Sequence, residues 1–181
     1  MKLRLGRFNH YFLVSLLAGL AGCVSTNPSA RGKEESVLQF FVESPFDDGE
    51  RTTTVMVCRS APIAVRIQKA PVLDNRDLAE ARIVDAVGGF LLQLRFTIHG
   101  SLVLEELTTA HRGSRLAIYG MFPNGRWLAA PVIPVRVTNG IVTFTPDFSR
   151  AEAERLVRGL NNTAIRLKNQ SKPGKTKKEA R

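Results

Sequence analysis

The stretch from residue 88 to residue 160 constrains the fold most, because its apolar spacing changes from that of a strand to that of a helix and back. At its start, Gly88-Gly89 joins residues 81–87 to residues 90–97. Two glycines between apolar runs are typical of a tight hairpin turn, since both positions tolerate positive φ. The alternation in the second run predicts a buried face formed by Leu92, Leu94 and Phe96.

Two amphipathic helices are predicted further along this stretch. The first is capped by Ser101, continues to Arg112 and ends at Gly113, which can take the left-handed conformation. Its inward stripe is predicted to be Val103, Leu107 and Ala110, with Leu104 beside them. The second helix begins at Ser149, which forms a capping box with Glu152. Its inward stripe is predicted to be Ala153, Leu156, Val157 and Leu160.

Extended segments account for most of the remaining folded sequence. The predicted strands are residues 37–42, 52–58, 63–67, 115–119 and 127–133. The first two are expected to pair as a hairpin, and residues 76–79 are expected to form one helical turn. A second hairpin is predicted between residues 135–137 and 141–145, around Asn139-Gly140. Together these elements predict an α+β domain over residues 36–167, a mainly antiparallel β-sheet with two amphipathic helices packed on it.

The N-terminus reads as a lipoprotein signal peptide over residues 1–22. A basic start is followed by a short apolar run and by Leu-Ala-Gly ahead of Cys23. This pattern resembles a bacterial lipobox, which implies lipidation of the Cys23 thiol and cleavage before it. By analogy with lipoprotein sorting in a Gram-negative host, Val24 favours the periplasmic face of the outer membrane over the inner membrane. The alternative is an ordinary signal peptide with an incidental cysteine. Residues 23–35 are predicted to be a flexible tether, because they combine Pro, Gly, Ser and charge without apolar spacing.

The positive charge lies at the two ends of the chain. The formal net charge is +10, but residues 1–22 contain three basic residues and no acid. The tail, residues 168–181, is predicted to be disordered and to bind an anionic surface through Lys168, Lys172, Lys175, Lys177, Lys178 and Arg181. A merely solubilising terminus is the alternative. Because the domain itself is far less basic than the whole chain, nucleic acid is not expected as a partner.

Residues that could carry chemistry are sparse. Cys58, His99 and His111 do not stand at metal-ligand spacing, and no role is assigned to them. The adjacent acids Glu105-Glu106 and Asp47-Asp48 are interpreted as solvated charge. We therefore expect no enzyme activity, no metal and no cofactor. An uncharacterised hydrolase would need a convergent polar pocket that the sequence does not indicate.

Several segments, in order, resemble one protein family. They are residues 77–82, 89–97, 107–113, 115–118, 129–133, 140–144 and 148–156. Over about residues 71–160 the chain resembles the head subdomain of the first periplasmic domain of SecD/SecDF protein-export membrane proteins. The resemblance implies an extracytoplasmic module that contacts emerging preprotein. It does not imply transport activity, because the sequence shows no membrane span beyond the signal, and residues 119–125 replace the family's usual Asp-Gly.

Two hypotheses of function follow. The first is a lipid-anchored, extracytoplasmic protein-binding module in the bacterial cell envelope, accessory to protein export or envelope assembly. Its partners would be the membrane, through lipid on Cys23, and an extracytoplasmic polypeptide or a Sec component. The alternative is a structural envelope lipoprotein whose basic tail tethers the membrane to an anionic polymer.

Overall fold

A computed structural model describes residues 34–171, which form nine strands and two helices. The strands are β1 (Val37–Val42), β2 (Thr52–Val57), β3 (Ile63–Gln68), β4 (Leu73–Asp74), β5 (Leu78–Ala86), β6 (Gly89–Phe96), β7 (Leu116–Met121), β8 (Gly125–Ala129) and β9 (Ile141–Phe144). The helices are α1 (Ile98–Ala110), between β6 and β7, and α2 (Arg150–Gln170), after β9.

All strand pairs are antiparallel and they form three units. One is a four-stranded sheet with the order β4-β1-β7-β8, the second is the β2–β3 hairpin, and the third is a three-stranded sheet with the order β5-β6-β9. The predicted α+β class is confirmed. The main core lies between the two sheets and the helices, and Phe40 and Phe96 meet there edge to face at 5.4 Å.

Strand β1 lies inside the four-stranded sheet because both of its faces are apolar. Phe40 belongs to the main core, while Phe41 on the opposite face packs in a second cluster with Val57 and Val65 of the β2–β3 hairpin. A strand buried on both faces favours neighbours on both sides, and β1 pairs with β7 and β4. The predicted hairpin between residues 37–42 and 52–58 is therefore wrong, since β2 pairs with β3.

Helix α1 begins earlier than predicted. Its N-cap is Thr97, whose side chain accepts from the backbone N–H of Gly100, so the prediction of Ser101 as the cap is wrong. Ser101 lies within the first turn, where its hydroxyl donates to Thr97 O at 2.8 Å. Gly100 is buried against Asp77, where any Cβ would be 2.6 Å from Asp77 O. The inward residues are Gly100, Leu104, Leu107 and Thr108, whereas Ala110, predicted to be inward, is exposed.

Helix α2 has the predicted capping box between Ser149 and Glu152. Of its predicted stripe, Ala153, Leu156 and Leu160 are buried and Val157 is half-buried. The helix continues to Gln170, because Thr163 extends the buried stripe beyond Leu160. Lys168, predicted to lie in a disordered tail, is consequently in the last turn of α2.

Three local predictions differ from the structure. The β5–β6 hairpin is confirmed, but its turn consists of Val87 and Gly88, with φ of 81° at Gly88. Residues 76–79 do not form the predicted helical turn. The chain instead turns directly into β5, with Asp77 N–H donating to Asp74 O and Leu78 N–H donating to Asn75 O. Residues 135–137 do not pair with residues 141–145, because β9 pairs with β6.

The segment that precedes β1 is bound to α2. Glu34 forms ion pairs with Arg155 and Arg158, and its backbone carbonyl accepts from Asn162 Nδ2 at 2.9 Å. Glu35 pairs with Arg166 at 2.6 Å. The last two residues of the predicted flexible tether are thus fixed to the domain.

Cys23, the predicted lipidation site, and the tail cations from Lys172 onward lie outside the described residues. Within residues 34–171, neither helix is long and apolar enough to cross a membrane.

Candidate protein-interaction surfaces

The outer face of the three-stranded sheet carries a charged depression of about 320 Å³. It is lined by Glu80, Arg82, Gln93, Arg95 and Ile141, which the register places on one face of the sheet. Glu80 binds Arg82 at 2.5 Å and Arg95 at 2.6 Å. Hydrogen bonds from Arg82 and then Arg95 hold the pKa of the Glu80 carboxyl below its usual range. This face is thus ordered by ion pairs and remains in contact with solvent.

The end of the β5–β6 hairpin projects apolar side chains into solvent. Residues 84–89 are all exposed, Val87 at the turn is fully so, and Val84 is 36% exposed. On the opposite face of β5 from Val84, Asp85 forms an ion pair with Arg150 in the first turn of α2. The side chain of Arg150 lowers the pKa of Asp85 by a hydrogen bond and by its charge. The end of the hairpin therefore presents Val84 and Val87 to solvent.

Lys168 lines a groove of about 830 Å³ between the end of α2 and the start of β5. Two arginines that the sequence analysis did not single out, Arg76 and Arg95, line the same groove, and its apolar lining includes Leu78 and Leu167. Arg76 is held by Asp74 at 2.7 Å. The structure therefore brings one predicted anion-binding residue together with two further cations.

His99, His111 and Cys58 line neither the charged depression nor the groove. His99 Nδ1 is 2.9 Å from Asp77 Oδ1 in the first turn of α1, and His111 is the C-cap of that helix. Cys58 is half-buried with a φ of 68°, and burial raises the pKa of its thiol, so the thiolate is disfavoured. Within residues 34–171 no three His, Cys, Asp or Glu side chains come together as a metal site would require.

Arg126 joins β8 to the start of α2 through contacts that the sequence did not indicate. Its guanidinium lies 5.0 Å from the ring centres of both Phe122 and Phe148, and 2.9 Å from Glu152 Oε1 in the capping box of α2. The Ser149 backbone N–H, which donates to Glu152, lowers the pKa of that carboxyl, and Arg126 adds to the effect. Phe148 and Glu152 are more than twenty positions from Arg126 in sequence, so no local pattern could have indicated that Arg126 contacts them.

Comparison with known proteins shows which family the chain belongs to. A family model described as the P1 head subdomain of SecDF matches residues 52–167. The chain belongs to the SecDF P1 head family. The resemblance found in the sequence is thereby confirmed, and the match extends the predicted range of 71–160 in both directions.

Among full-length relatives, the protein translocase subunit SecDF of Thermus thermophilus is 35% identical over 96 residues, which are 52% of this chain and 13% of that protein. A crystal structure of SecDF in the super-membrane-facing form has 24% identity and a TM-score of 0.55, and the alignment covers 77% of this chain and 21% of that one. A structure described as a membrane component SecDF that enhances protein export has 23% identity and a TM-score of 0.53, over 88% of this chain and 72% of that one. These two structures show a shared fold, and this chain spans a small part of the SecDF translocase subunit.

Proposed function

We propose that this protein is an extracytoplasmic protein-binding module, accessory to protein export or envelope assembly, and held in the bacterial envelope by lipid on Cys23. The observation that carries the proposal is the match to the SecDF head over residues 52–167. One solved structure that shares the fold is described as a membrane component SecDF that enhances protein export, and the alignment covers 72% of that chain. Its partner would be an extracytoplasmic polypeptide or a Sec component.

The exposed surfaces support binding to protein. The apolar end of the β5–β6 hairpin around Val87 and the ion-paired outer face around Glu80 offer an apolar tip beside a polar surface. Protein interfaces combine the same two kinds of surface, an apolar centre within a polar rim. Binding here would need no rearrangement of the core.

The bound segment ahead of β1 supports attachment close to a membrane. Because Glu34 and Glu35 are fixed to α2, only residues 24–33 are left to separate a lipid on Cys23 from the domain. Fully extended, ten residues span at most about 35 Å. Such a tether would keep the domain near the outer-membrane surface that the sequence predicts.

An equilibrium binding measurement tests the proposal. The full chain is titrated against reduced, carboxymethylated α-lactalbumin, a permanently unfolded polypeptide, and against folded α-lactalbumin with its disulfides intact. Salt of about 0.3 M suppresses non-specific attraction to the basic tail. We expect binding of the unfolded polypeptide only. Equal or absent binding of the two forms would contradict the proposal.

A second candidate is the structural tether, and the position of Lys168 favours it. This cation is exposed in the last turn of α2, directly ahead of the basic residues that follow Ser171. Deletion of residues 172–181 leaves α2 complete and separates the two candidates. Loss of salt-sensitive binding to vesicles or cell-wall polymer, with binding of unfolded polypeptide intact, would assign the tail to the envelope surface and the domain to protein binding.

A further inference from the structure

The outer edge of β2 presents backbone groups that no strand pairs. Lys69 N–H donates to Arg51 O at 2.8 Å, which makes residues 51 and 69 a hydrogen-bonded pair in the β2–β3 ladder. Since bonded and non-bonded pairs alternate in an antiparallel ladder, the N–H and C=O of Thr54 and Met56 point away from β3. Among the described residues neither has a hydrogen-bonding partner for its backbone on that side.

The opposite side of the hairpin confirms this geometry. By the same alternation, the backbone groups of Arg66 in β3 point away from β2. Its carbonyl accepts there from the N–H of Ser44 at 2.8 Å, at the end of β1. Strand β3 is thus paired on both sides and β2 on one. Strand β8 contacts β2 but forms no ladder with it.

The other sheet edges are blocked or very short. In β5, both backbone groups of Ala81 are bound by the side-chain amide of Asn161. In β8, Leu128 O accepts from the N–H of Asp147 at 3.3 Å. Strand β4 has two residues, and β9 has four, with the Ile141 N–H bound to Asn139 Oδ1. Such devices are how proteins prevent pairing at strand edges.

Strand β2 is bound in this way only at its first residue, where the outward N–H of Thr52 donates to Asp48 O at 3.3 Å, and Thr54 and Met56 carry none of these devices. Its six residues, Thr-Thr-Thr-Val-Met-Val, include no charge and no proline. Thr53, Thr54 and Met56 are exposed, Met56 at 58%. The residue opposite Met56 is Ala64, which is small and exposed, so space is left above the strand. A flexible methionine side chain adapts to partners of different sequence.

We propose that an extended segment of an unfolded polypeptide binds by adding as a strand to the outer edge of β2. Outward N–H and C=O groups on alternate residues, about 7 Å apart along the strand, match another extended backbone. Recognition through the backbone tolerates variation in sequence, which an acceptor of many polypeptides requires. This inference rests on the proposed function and locates its binding site.

Proline substitution tests the site without disturbing the existing ladder. Thr54→Pro removes a donor that points outward, so the bonds between β2 and β3 are retained, and Thr54→Val keeps the donor while changing the side chain. Thr143→Pro is the matched control on the β9 edge. Its N–H also points outward, since Phe96 N–H donates to Gly140 O and fixes the β6–β9 alternation.

In the α-lactalbumin titration, we expect Thr54→Pro to weaken binding of the unfolded form by about tenfold or more, and the other two variants to change it by less than about twofold. Wild-type affinity in Thr54→Pro would overturn strand addition at β2 and leave the proposed function standing. Failure of the wild type to bind would overturn the proposed function itself. Loss at Thr143→Pro would place the site on β9.

Two further measurements complete the test. Should Thr54→Pro fail to fold, hydrogen exchange in the wild type decides: binding should slow exchange at the Thr54 and Met56 amides, which the ladder leaves free. Unchanged exchange at both would overturn the proposal. Analytical ultracentrifugation tests whether a second copy of this chain binds the β2 edge instead. If Thr54→Pro abolishes self-association and leaves binding of the unfolded polypeptide unchanged, the edge binds another copy of this chain. That result would also overturn the proposal.

Discussion

The side-chain amide of Asn161 in α2 binds both backbone groups of Ala81 in β5. Ala81 N–H donates to Asn161 Oδ1 at 2.9 Å, and Asn161 Nδ2 donates to Ala81 O at 3.0 Å. One helix side chain thereby replaces a neighbouring strand and fixes α2 along the edge of the three-stranded sheet. The contact also closes an edge that would otherwise be open to other chains.

Asn161→Ala should lower the free energy of unfolding by about 2 kcal/mol, because two hydrogen bonds are lost and the backbone groups of the buried Ala81 are left unpaired. Denaturant unfolding measures the change. Asn169→Ala is the control, since it makes the same replacement at an exposed position of the same helix and corrects for helix propensity. Equal effects of the two variants would contradict the role of the amide.

Gly159 lets α2 approach the segment ahead of β1. A Cβ there would overlap Ser36 Oγ and lie 2.9 Å from Ser36 Cβ, both on a buried residue. Helix propensity alone predicts that Gly159→Ala stabilises by about 1 kcal/mol. The packing predicts the opposite sign, a loss of about 1–3 kcal/mol.

Thermal or denaturant unfolding gives the sign directly. Ser36→Gly combined with Gly159→Ala should recover part of the loss, because the overlapping side chain is removed. Gly49→Ala, at a position with no atoms within 4 Å of the added methyl group, should have little effect. Stabilisation by Gly159→Ala alone would show that α2 does not approach this closely.

These two contacts also show where sequence reasoning stops. The capping box at Ser149, the β5–β6 hairpin and the buried face of β6 follow from spacings within a few residues, and all three are confirmed. Asn161 and Gly159 gave no local signal, because their partners lie about eighty and more than one hundred and twenty residues away.

The errors have the same cause. Thr97 rather than Ser101 caps α1, because burial of Gly100 against Asp77 keeps the glycine inside the helix. Strand β1 pairs with β7, which follows much later in the chain. The apolar side chains on both faces of β1 indicate a strand with a neighbour on each side. The prediction followed the short turn sequence after β1 instead, and therefore paired β1 with β2. Among the candidate interaction surfaces, the open edge of β2 depends on pairing that no local pattern specifies.

Asp147 should make the free energy of unfolding depend on pH in the acidic range. Its carboxylate accepts from the Ser60 hydroxyl and from the backbone N–H groups of Arg59 and Ser60, and these bonds lower its pKa. A carboxyl with a lowered folded pKa stabilises the protein above its unfolded pKa of about 3.9, and the contribution is lost as pH falls through the folded value. The free energy of unfolding should therefore decrease below about pH 4.

Denaturant unfolding at a series of pH values measures this dependence. Asp147→Asn should have a shallower acid slope than the wild type, although other carboxylates with lowered pKa values, such as Asp74 and Glu152, retain part of it. Ser60→Ala removes the largest cause of the shift and should give an intermediate slope. Identical slopes for Asp147→Asn and the wild type would contradict the assignment.

Cys23→Ser should release the protein from the membrane fraction and abolish labelling with radioactive palmitate, because the thiol that we propose to carry the lipid is replaced. The control is Cys58→Ser, which removes the only other cysteine and should leave both properties unchanged. Fractionation and labelling of cells that produce each variant measure the outcome. Retention of the label in Cys23→Ser would contradict the anchor.

Photocrosslinking in cells tests the central claim, protein binding in the envelope, most directly. A photoreactive amino acid replaces Val87 at the hairpin end or Met56 beside the open edge of β2, with Glu106 on the exposed side of α1 as the control position. We expect adducts at Val87 or Met56, and none at Glu106, that mass spectrometry identifies as exported polypeptides or Sec components. Recovery of only the uncrosslinked monomer at both positions would contradict it.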